Sequence, residues 1–309
     1  MAKLSGLIVA AATPLQPGRF DVDHPALARH CRRLLALGAN CVNLLGTTGE
    51  ATSLSVSQRS AAMEAVAQAR LPLDRFMVGT GAAALADAVV LTRASVDLGF
   101  SGALVLPPFY YKGVTDDDLL YFFDALVRQV DRPQLLVYLY HIPQYTGIAF
   151  SPSLIHRLRK AFPGTFVGLK DSSGDLEGTT AFAREVPAFD VFPATEAALP
   201  VVEKGLFKGI ISASLNVTCP LVADRLRGGD NGSLAAASAI RMALSSVPLV
   251  PAIRWALADL TAEAGWKTNL PPLSSISGES ETKLIAALGS TQYQILRDRF
   301  RAAAALETS

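Results

Sequence analysis

Cysteine, net charge and long apolar runs are all scarce in this 309-residue chain. The three cysteines, Cys31, Cys41 and Cys219, lie far apart. An odd, unclustered set argues against a disulfide framework and against a zinc site, and fits a reducing cytoplasm. Lys plus Arg is 28 and Asp plus Glu is 27, which leaves a formal net charge of +1. No basic excess points to nucleic acid, and no charge run points to a membrane surface. No apolar run approaches the roughly 20 residues that a bilayer span needs. The opening "MAKLSGLIVAAATPLQPG" ends a short apolar run in a Pro/Gly turn, which reads as a first strand and not as a secretory leader. The expectation is a protein of the cytoplasm with no membrane or nucleic-acid partner.

Half of the residues are apolar and 18% are charged, a composition that supplies a large globular core. Short apolar runs alternate with helical patterns. The runs are "GLIVAAA" (6–12), "CVNLLG" (41–46), "FMVGTG" (76–81), "GALVLP" (102–107), "LLVYLY" (135–140), "FVGLK" (166–170), "DVFPA" (190–194) and "GIISAS" (209–214). They are continuous, as strands covered on both faces should be. The intervening stretches carry helix signals. Ser57 is a candidate N-cap for one, and Thr115 followed by three aspartates opens another. Eight strand–helix units fit an eight-stranded (β/α)8 TIM barrel. An open doubly wound sheet is the rival that counting leaves open. After about residue 220 only helical patterns remain, and the "GGDNGS" turn (228–233) precedes them. The expected organisation is a catalytic barrel over 1–225 and a C-terminal helical extension over 226–309.

In a barrel, polar residues just past the C-terminal strand ends mark the active mouth. Here they are Thr47, Thr48, Glu50, Tyr110, Tyr111, Tyr140, His141 and Lys170. Lys170 stands out, because it follows the apolar run Phe166–Leu169. Desolvation disfavours the charged form of an amine. A neutral lysine amine attacks ketones and aldehydes to give a Schiff base, whose iminium lets a C–C bond beta to nitrogen break or form. A salt-bridged lysine displaced one residue past its strand is the bland alternative. Leu169 and the rest of the strand would supply a dry wall. Tyr140 ends the preceding run, where a phenol can relay protons; Tyr138 reads as a core tyrosine. Gly46 and Gly49 permit a tight turn whose backbone N–H groups, with the Thr47 and Thr48 hydroxyls, suit a carboxylate or phosphate. An ordinary capped β–α turn would read the same in isolation. "GTGAAA" (79–84) mimics a dinucleotide fingerprint, but it follows the third run, and Asp87 and Asp97 lie in the next helix. The histidines are scattered, so no metal cluster is visible, and His141 reads as structural.

Taken together, "GTTGE" (46–50), "PPFYY" (107–111), "YHIPQYTG" (140–147) and "GLKDSSG" (168–174), in this order and spacing, resemble one family. It is the pyruvate-dependent class I lyases: dihydrodipicolinate synthase, N-acetylneuraminate lyase and related 2-keto acid aldolases. The resemblance runs from "GLIVAAATP" through "GIISASLNV" into the helical tail. It implies that Lys170 forms the imine with pyruvate or a 2-keto acid, with no metal and no organic cofactor. It implies that Tyr140 acts as acid and base, and that Gly46, Thr47 and Thr48 hold the pyruvate carboxylate. Thr47 would join a hydroxyl relay with Tyr140, completed by Tyr110 from a neighbouring subunit, with Tyr111 as substitute. A homotetramer, a dimer of dimers, follows from that, and the Ile211 backbone would lie near the iminium.

One position departs from the pattern. Dihydrodipicolinate synthases usually read Tyr-Asn-x-Pro-x-Arg-Thr-Gly after the tyrosine, whereas here Tyr145 occupies the arginine position. A phenol cannot make a bidentate charged contact with a carboxylate. The neuraminate lyases usually carry Gly-Ser-Thr-Gly-Glu in the turn, so "KDSSG" and "PPFYY" look more like the sugar-acid and hydroxy-oxoglutarate aldolases. The function expected is reversible cleavage of a 2-keto acid to pyruvate and an aldehyde. Dihydrodipicolinate synthase, a dehydratase on the same iminium and a non-catalytic keto-acid binder are the alternatives.

Overall fold

All eight continuous apolar runs form strands in the computed structural model, which describes residues 4–229 and 231–305. They are β1 (Gly6–Ala10), β2 (Cys41–Leu44), β3 (Phe76–Gly79), β4 (Gly102–Val105), β5 (Val137–His141), β6 (Phe166–Asp171), β7 (Asp190–Pro193) and β8 (Gly209–Ser212). They belong to one sheet in the order β7-β6-β5-β4-β3-β2-β1-β8. β1 pairs with β2 in parallel, as do β3 with β4, β4 with β5, β5 with β6 and β6 with β7. A doubly wound sheet reverses its strand order at a switch point. This order runs in chain sequence around to β8, the succession of a (β/α)8 barrel.

Helices follow each strand: α1 (His24–Ala36), α2 (Val56–Gln68), α3 (Leu85–Asp97), α4 (Asp116–Val130), the single turn α5 (Pro143–Thr146), α6 (Pro152–Ala161), α7 (Leu176–Glu185), α8 (Leu199–Glu203) and α9 (Leu215–Leu226). Beyond them come α10 (Asn231–Leu244), α11 (Leu249–Thr261), α12 (Gly278–Gly289) and α13 (Leu296–Ala305). Asp230 of the "GGDNGS" turn lies outside the described residues. The tail pattern over 281–306 divides in two: Gly289 closes α12, and the Thr291 hydroxyl on the Leu288 carbonyl and Tyr293 N–H turns the chain before α13. Among the described residues no single helix is long and apolar enough to cross a membrane.

Helix starts follow from side-chain oxygens placed to accept the first free N–H groups. Thr115 and Asp118 form a reciprocal capping box on α4. The α2 cap is Ser55, not Ser57. The Ser55 hydroxyl accepts from Gln58 N–H, the Gln58 side chain answers on Ser55 N–H, and Ser57 already lies inside the helix.

By density of contacts the chain divides into two compact units. The first holds the chain up to Gly6, Ser55–Glu64 and Pro72–Ile211; the second holds Leu7–Leu54, Ala65–Leu71 and the chain from Ser212 on. In the first unit, Tyr138 is fully buried and pairs in register with Gly168. A methyl group added at Gly102 or Gly168 would lie 2.7 Å from its ring. Two flanking glycines thus make the slot that the Tyr138 ring fills, with Phe192 edge-on at 6.0 Å.

Candidate active site

In the first unit, the β5–β6 register sets Tyr140 directly beside Lys170, and His141 beside Asp171. Side chains alternate faces along a strand. His141 meets the rings of Phe150 and Phe182, and Asp171 accepts from the Thr179 hydroxyl of α7 at 2.8 Å. That is the helix-covered face, so Tyr140 and Lys170 belong to the opposite, inner face. Phe192 of β7 flanks Lys170 on its other side. Lys170 is 3% exposed, with Nζ 4.3 Å from the centroid of the Tyr140 ring. Among the described residues no carboxylate pairs with it, which removes the salt-bridged surface lysine as an account of this position. The wall beside the amine is aromatic, from Tyr140 and Phe192. Leu169, expected to supply it, is one residue off and alternates to the helix-facing side.

The backbone around the lysine is pinned from three directions. Ser172 N–H donates to His141 O, Ala194 N–H donates to Asp171 O, and Asp171 Oδ1 accepts from Ser173 N–H. His141 Nδ1 accepts from Phe150 N–H at 3.2 Å. Burial holds the His141 imidazole below its ordinary pKa, partly offset by the Asp171 charge. A neutral ring packed between two phenylalanines on the outer face is structural, as its sequence position implied.

The second unit holds the threonine turn that leaves β2. Two non-glycine residues bracket it in the left-handed region, Leu45 at φ 52 and Glu50 at φ 54. Such backbone costs on the order of 1–3 kcal/mol and persists where the surroundings over-determine it. The surroundings here are a buried ion pair. Glu50 Oε1 accepts from Arg254 Nη1 at 3.0 Å, and Oε2 accepts from Leu270 N–H at 2.7 Å. Arg254 also donates to Thr13 O and Gly265 O. Burial pushes Glu50 upward in pKa and Arg254 down to about 10, and each partner's charge opposes the other's shift. Close packing accounts for glycine at 49: a Cβ there would lie 2.9 Å from Thr13 Oγ1 and 3.1 Å from Ala11 O. Thr48 is buried and Thr47 partly exposed, on a turn closed by Glu50 N–H donating to Thr47 O. Glu50 therefore anchors the turn from behind. Its inclusion among the mouth residues is corrected, because its carboxylate is spent inside the unit.

The remaining expected residues fall as follows. Tyr110 and Tyr111 are each 74% exposed, with rings edge-to-face at 5.3 Å, and do not reach the Lys170 amine of their own chain. Tyr145 is 71% exposed on α5. Ile211 is buried in β8. The "GTGAAA" segment has its Gly79 and Gly81 carbonyls taken by Arg59 Nη2, and a Cβ at Gly81 would lie 2.5 Å from Leu106 N. Close packing on the loop after β4 accounts for that glycine. A cavity of about 310 Å³ opens beside Phe166 and Val167, at the end of β6 away from Lys170.

Sequence reasoning missed the supporting residues. Arg254 and Arg241 lie in helical stretches with no motif around them. Arg241 Nη1 donates to Ser212 Oγ at 2.9 Å and Ser214 Oγ at 2.7 Å, at the end of β8. Asn216 donates to Ala10 O while its Oδ1 accepts from Ala12 N–H, and His30 Nε2 meets that same oxygen at 3.0 Å. The Asp171–Ser-Ser-Gly–Asp175 stretch did carry a readable signal, since an Asp that bonds the chain two residues on is a turn former.

Comparison with known proteins joins these observations to a family. The model of the dihydrodipicolinate synthetase family matches residues 3–290. An uncharacterised DapA-like lyase of Chloroflexus aurantiacus is 34% identical, with 93% of this chain and 97% of that protein covered. The 4-hydroxy-tetrahydrodipicolinate synthase of Thermus thermophilus is 32% identical, over 90% of this chain and 93% of its own. Among solved structures, dihydrodipicolinate synthase from Agrobacterium tumefaciens superposes with TM-score 0.85 at 28% identity, covering 93% of this chain and 99% of that one. N-acetylneuraminate lyase of Proteus mirabilis shares the fold, with TM-score 0.81 at 24% identity over 94% and 100% of the two chains. The likeness takes in the lysine strand, the threonine turn and the barrel across nearly the whole length of known proteins, and the chain belongs to the dihydrodipicolinate synthetase family of lyases.

Proposed function

We propose that the protein is a class I lyase that cleaves a 2-keto acid reversibly to pyruvate and an aldehyde. The observation that carries the reading is the Lys170 amine, buried at 3% exposure, paired with no carboxylate among the described residues and set over the Tyr140 ring. The Nζ lone pair attacks the substrate ketone carbon and water leaves, giving a protonated imine. The imine accepts the electron pair of the C3–C4 bond as it breaks, and Tyr140 takes the proton of the C4 hydroxyl. The aldehyde departs. The remaining enamine is protonated at C3, and water releases pyruvate and restores the amine. Gly46, Thr47 and Thr48 are assigned to the pyruvate carboxylate, and Ile211 to the backbone beside the imine.

The reading extends to a homotetramer of the cytoplasm. Tyr110, exposed on its own protomer, would reach a neighbouring site to complete a relay with Thr47 and Tyr140. The reaction draws on no metal or organic cofactor, because the imine is the electron sink. A relative named 4-hydroxy-tetrahydrodipicolinate synthase raises that activity for this chain. Tyr145 speaks against it, since its phenol replaces the guanidinium that the family pattern uses for a second carboxylate.

Proton exchange tests the reading without knowledge of the aldehyde. In deuterated water the enzyme should exchange the methyl protons of pyruvate through the enamine, as followed by proton NMR. A chain that binds pyruvate without exchanging it, or a Lys170→Ala variant that exchanges equally, refutes the reading.

A further inference from the structure

The helices beyond the barrel send an arginine to the end of β8. Arg241, in the last turn of α10, donates from Nη1 to Ser212 Oγ at 2.9 Å and to Ser214 Oγ at 2.7 Å. Ser212 closes β8 and Ser214 stands at the N-cap of α9. Both serines are fully buried, and their hydroxyl oxygens lie 3.0 Å apart. One guanidinium nitrogen thus bridges the last strand residue and the residue that opens the next helix. Side chains alternate faces along a strand. With Ser212 turned to α10, Ile211 before it faces the opposite way, and the peptide that joins them is held in one orientation.

The Ser214 hydroxyl is diverted to this task. A serine at a helix N-cap ordinarily accepts from the N–H groups of the first turn. Ser214 holds that position, yet its side chain makes no cap bond. The start of α9 is tied instead by Asn216, whose Nδ2 donates to Ala10 O and Ala213 O and whose Oδ1 accepts from Ala12 N–H. A capping hydroxyl given up to a guanidinium 27 residues away forgoes local helix stability for a fixed strand end. The two arginines serve different strand ends. Arg254 of α11 is spent on Glu50 and on the carbonyls of Thr13 and Gly265, behind the threonine turn. Arg241 of α10 is spent on the serines past β8.

Resting on the lyase reading, in which the Ile211 backbone lies beside the imine, we propose that Arg241 is a positioning residue for the imine chemistry. Through Ser212 and Ser214 it holds the end of β8, and so the Ile211 backbone, where attack on the ketone and proton removal from C3 require it. Arg241 touches no reacting atom in this role. Its effect falls on turnover and not on the binding of pyruvate, which the reading assigns to the threonine turn and its separate anchor, Arg254. A misplacement of about 1 Å beside reacting atoms costs up to about a hundredfold in rate, even when its cause lies far from the chemistry.

The test follows exchange of the pyruvate methyl protons in deuterated water, with borohydride trapping of pyruvate on Lys170 as the control. Arg241→Met keeps an apolar stem and removes the donors. It should lower kcat for exchange by about ten- to a hundredfold. KM for pyruvate should stay within about threefold, and the thermal midpoint within a few degrees. A Ser212→Ala, Ser214→Ala double variant removes the acceptors with little change of shape and should lower kcat by a matching factor. Combining all three substitutions should cost no more than about a further threefold, because they break one interaction. Unchanged kcat in Arg241→Met, a loss confined to KM, a midpoint that falls along with kcat, or losses that multiply in the combined variant overturns the proposal. Where Arg241→Met does not fold, the double serine variant decides, and wild-type turnover in it overturns the proposal. A wild type that neither forms the adduct nor exchanges protons instead refutes the underlying lyase reading.

Discussion

The two compact units hold their candidate residues by opposite means. In the first, Lys170 is set by strand register, between the aromatic side chains of Tyr140 and Phe192, and among the described residues no carboxylate pairs with it. The neighbouring charge, Asp171, is turned to the other face and tied to Thr179. In the second, the threonine turn is held by a fully desolvated ion pair, Glu50 with Arg254. On the proposed lyase reading, the difference follows from the chemistry asked of each. A nucleophilic amine must be able to lose its proton, and a carboxylate partner would hold the charge on it. A carboxylate-binding turn needs only fixed donors, so a rigid ionic anchor behind it is an advantage, and the left-handed Leu45 and Glu50 can be over-determined by it.

Substitutions at the two anchors should separate chemistry from stability. The largest effect is expected for Lys170→Ala, with kcat/KM for retro-aldol cleavage lower by at least about a thousandfold and the thermal midpoint held within a few degrees. Tyr140→Phe should lower kcat by about 10²- to 10⁴-fold, the range for one acid–base group, while pyruvate still forms its adduct. Glu50→Ala should act in the other currency. It strands a buried guanidinium and should cost about 3–5 kcal/mol in denaturant unfolding. A stable Glu50→Ala protein with lost turnover would blur the contrast between the units.

A pH titration sharpens the same contrast within the second unit. His30 is fully buried beside Asn216, and burial pushes its pKa from 6.5 down to about 4. Between those values the unfolded chain binds a proton that the folded chain refuses. Stability should therefore fall as pH drops from about 6.5 to about 4, by about 3 kcal/mol from this group. His30→Gln should flatten that slope in urea unfolding followed at several pH values. The smallest effect is expected for Gly49→Ala. Its added methyl would crowd Thr13 and Ala11, at about 1–3 kcal/mol, with a rise in KM for pyruvate as the turn shifts.

The strands were legible because continuous apolar runs bounded by turn residues have few other meanings in a chain this long. Their far ends were less so. Several runs continue past the last paired residue, since Ala11, Ala12 and Leu45 are buried without being in a strand. Lys170 and Tyr140 were legible as polar interruptions of such runs. The supports were not. Arg254, Arg241 and Asn216 act over separations of 29 to 204 residues, and helical periodicity says only that a position is buried, not what it meets. Ser57 and Leu169 were misplaced by one or two residues. At a helix start that changes the cap, and on a strand it changes the face.

The direct test of the central claim is borohydride reduction in the presence of pyruvate, followed by intact mass and peptide mapping. A single pyruvate-derived adduct on Lys170, absent from Lys170→Ala, is the predicted result. An unlabelled protein, or label on any other lysine, contradicts it.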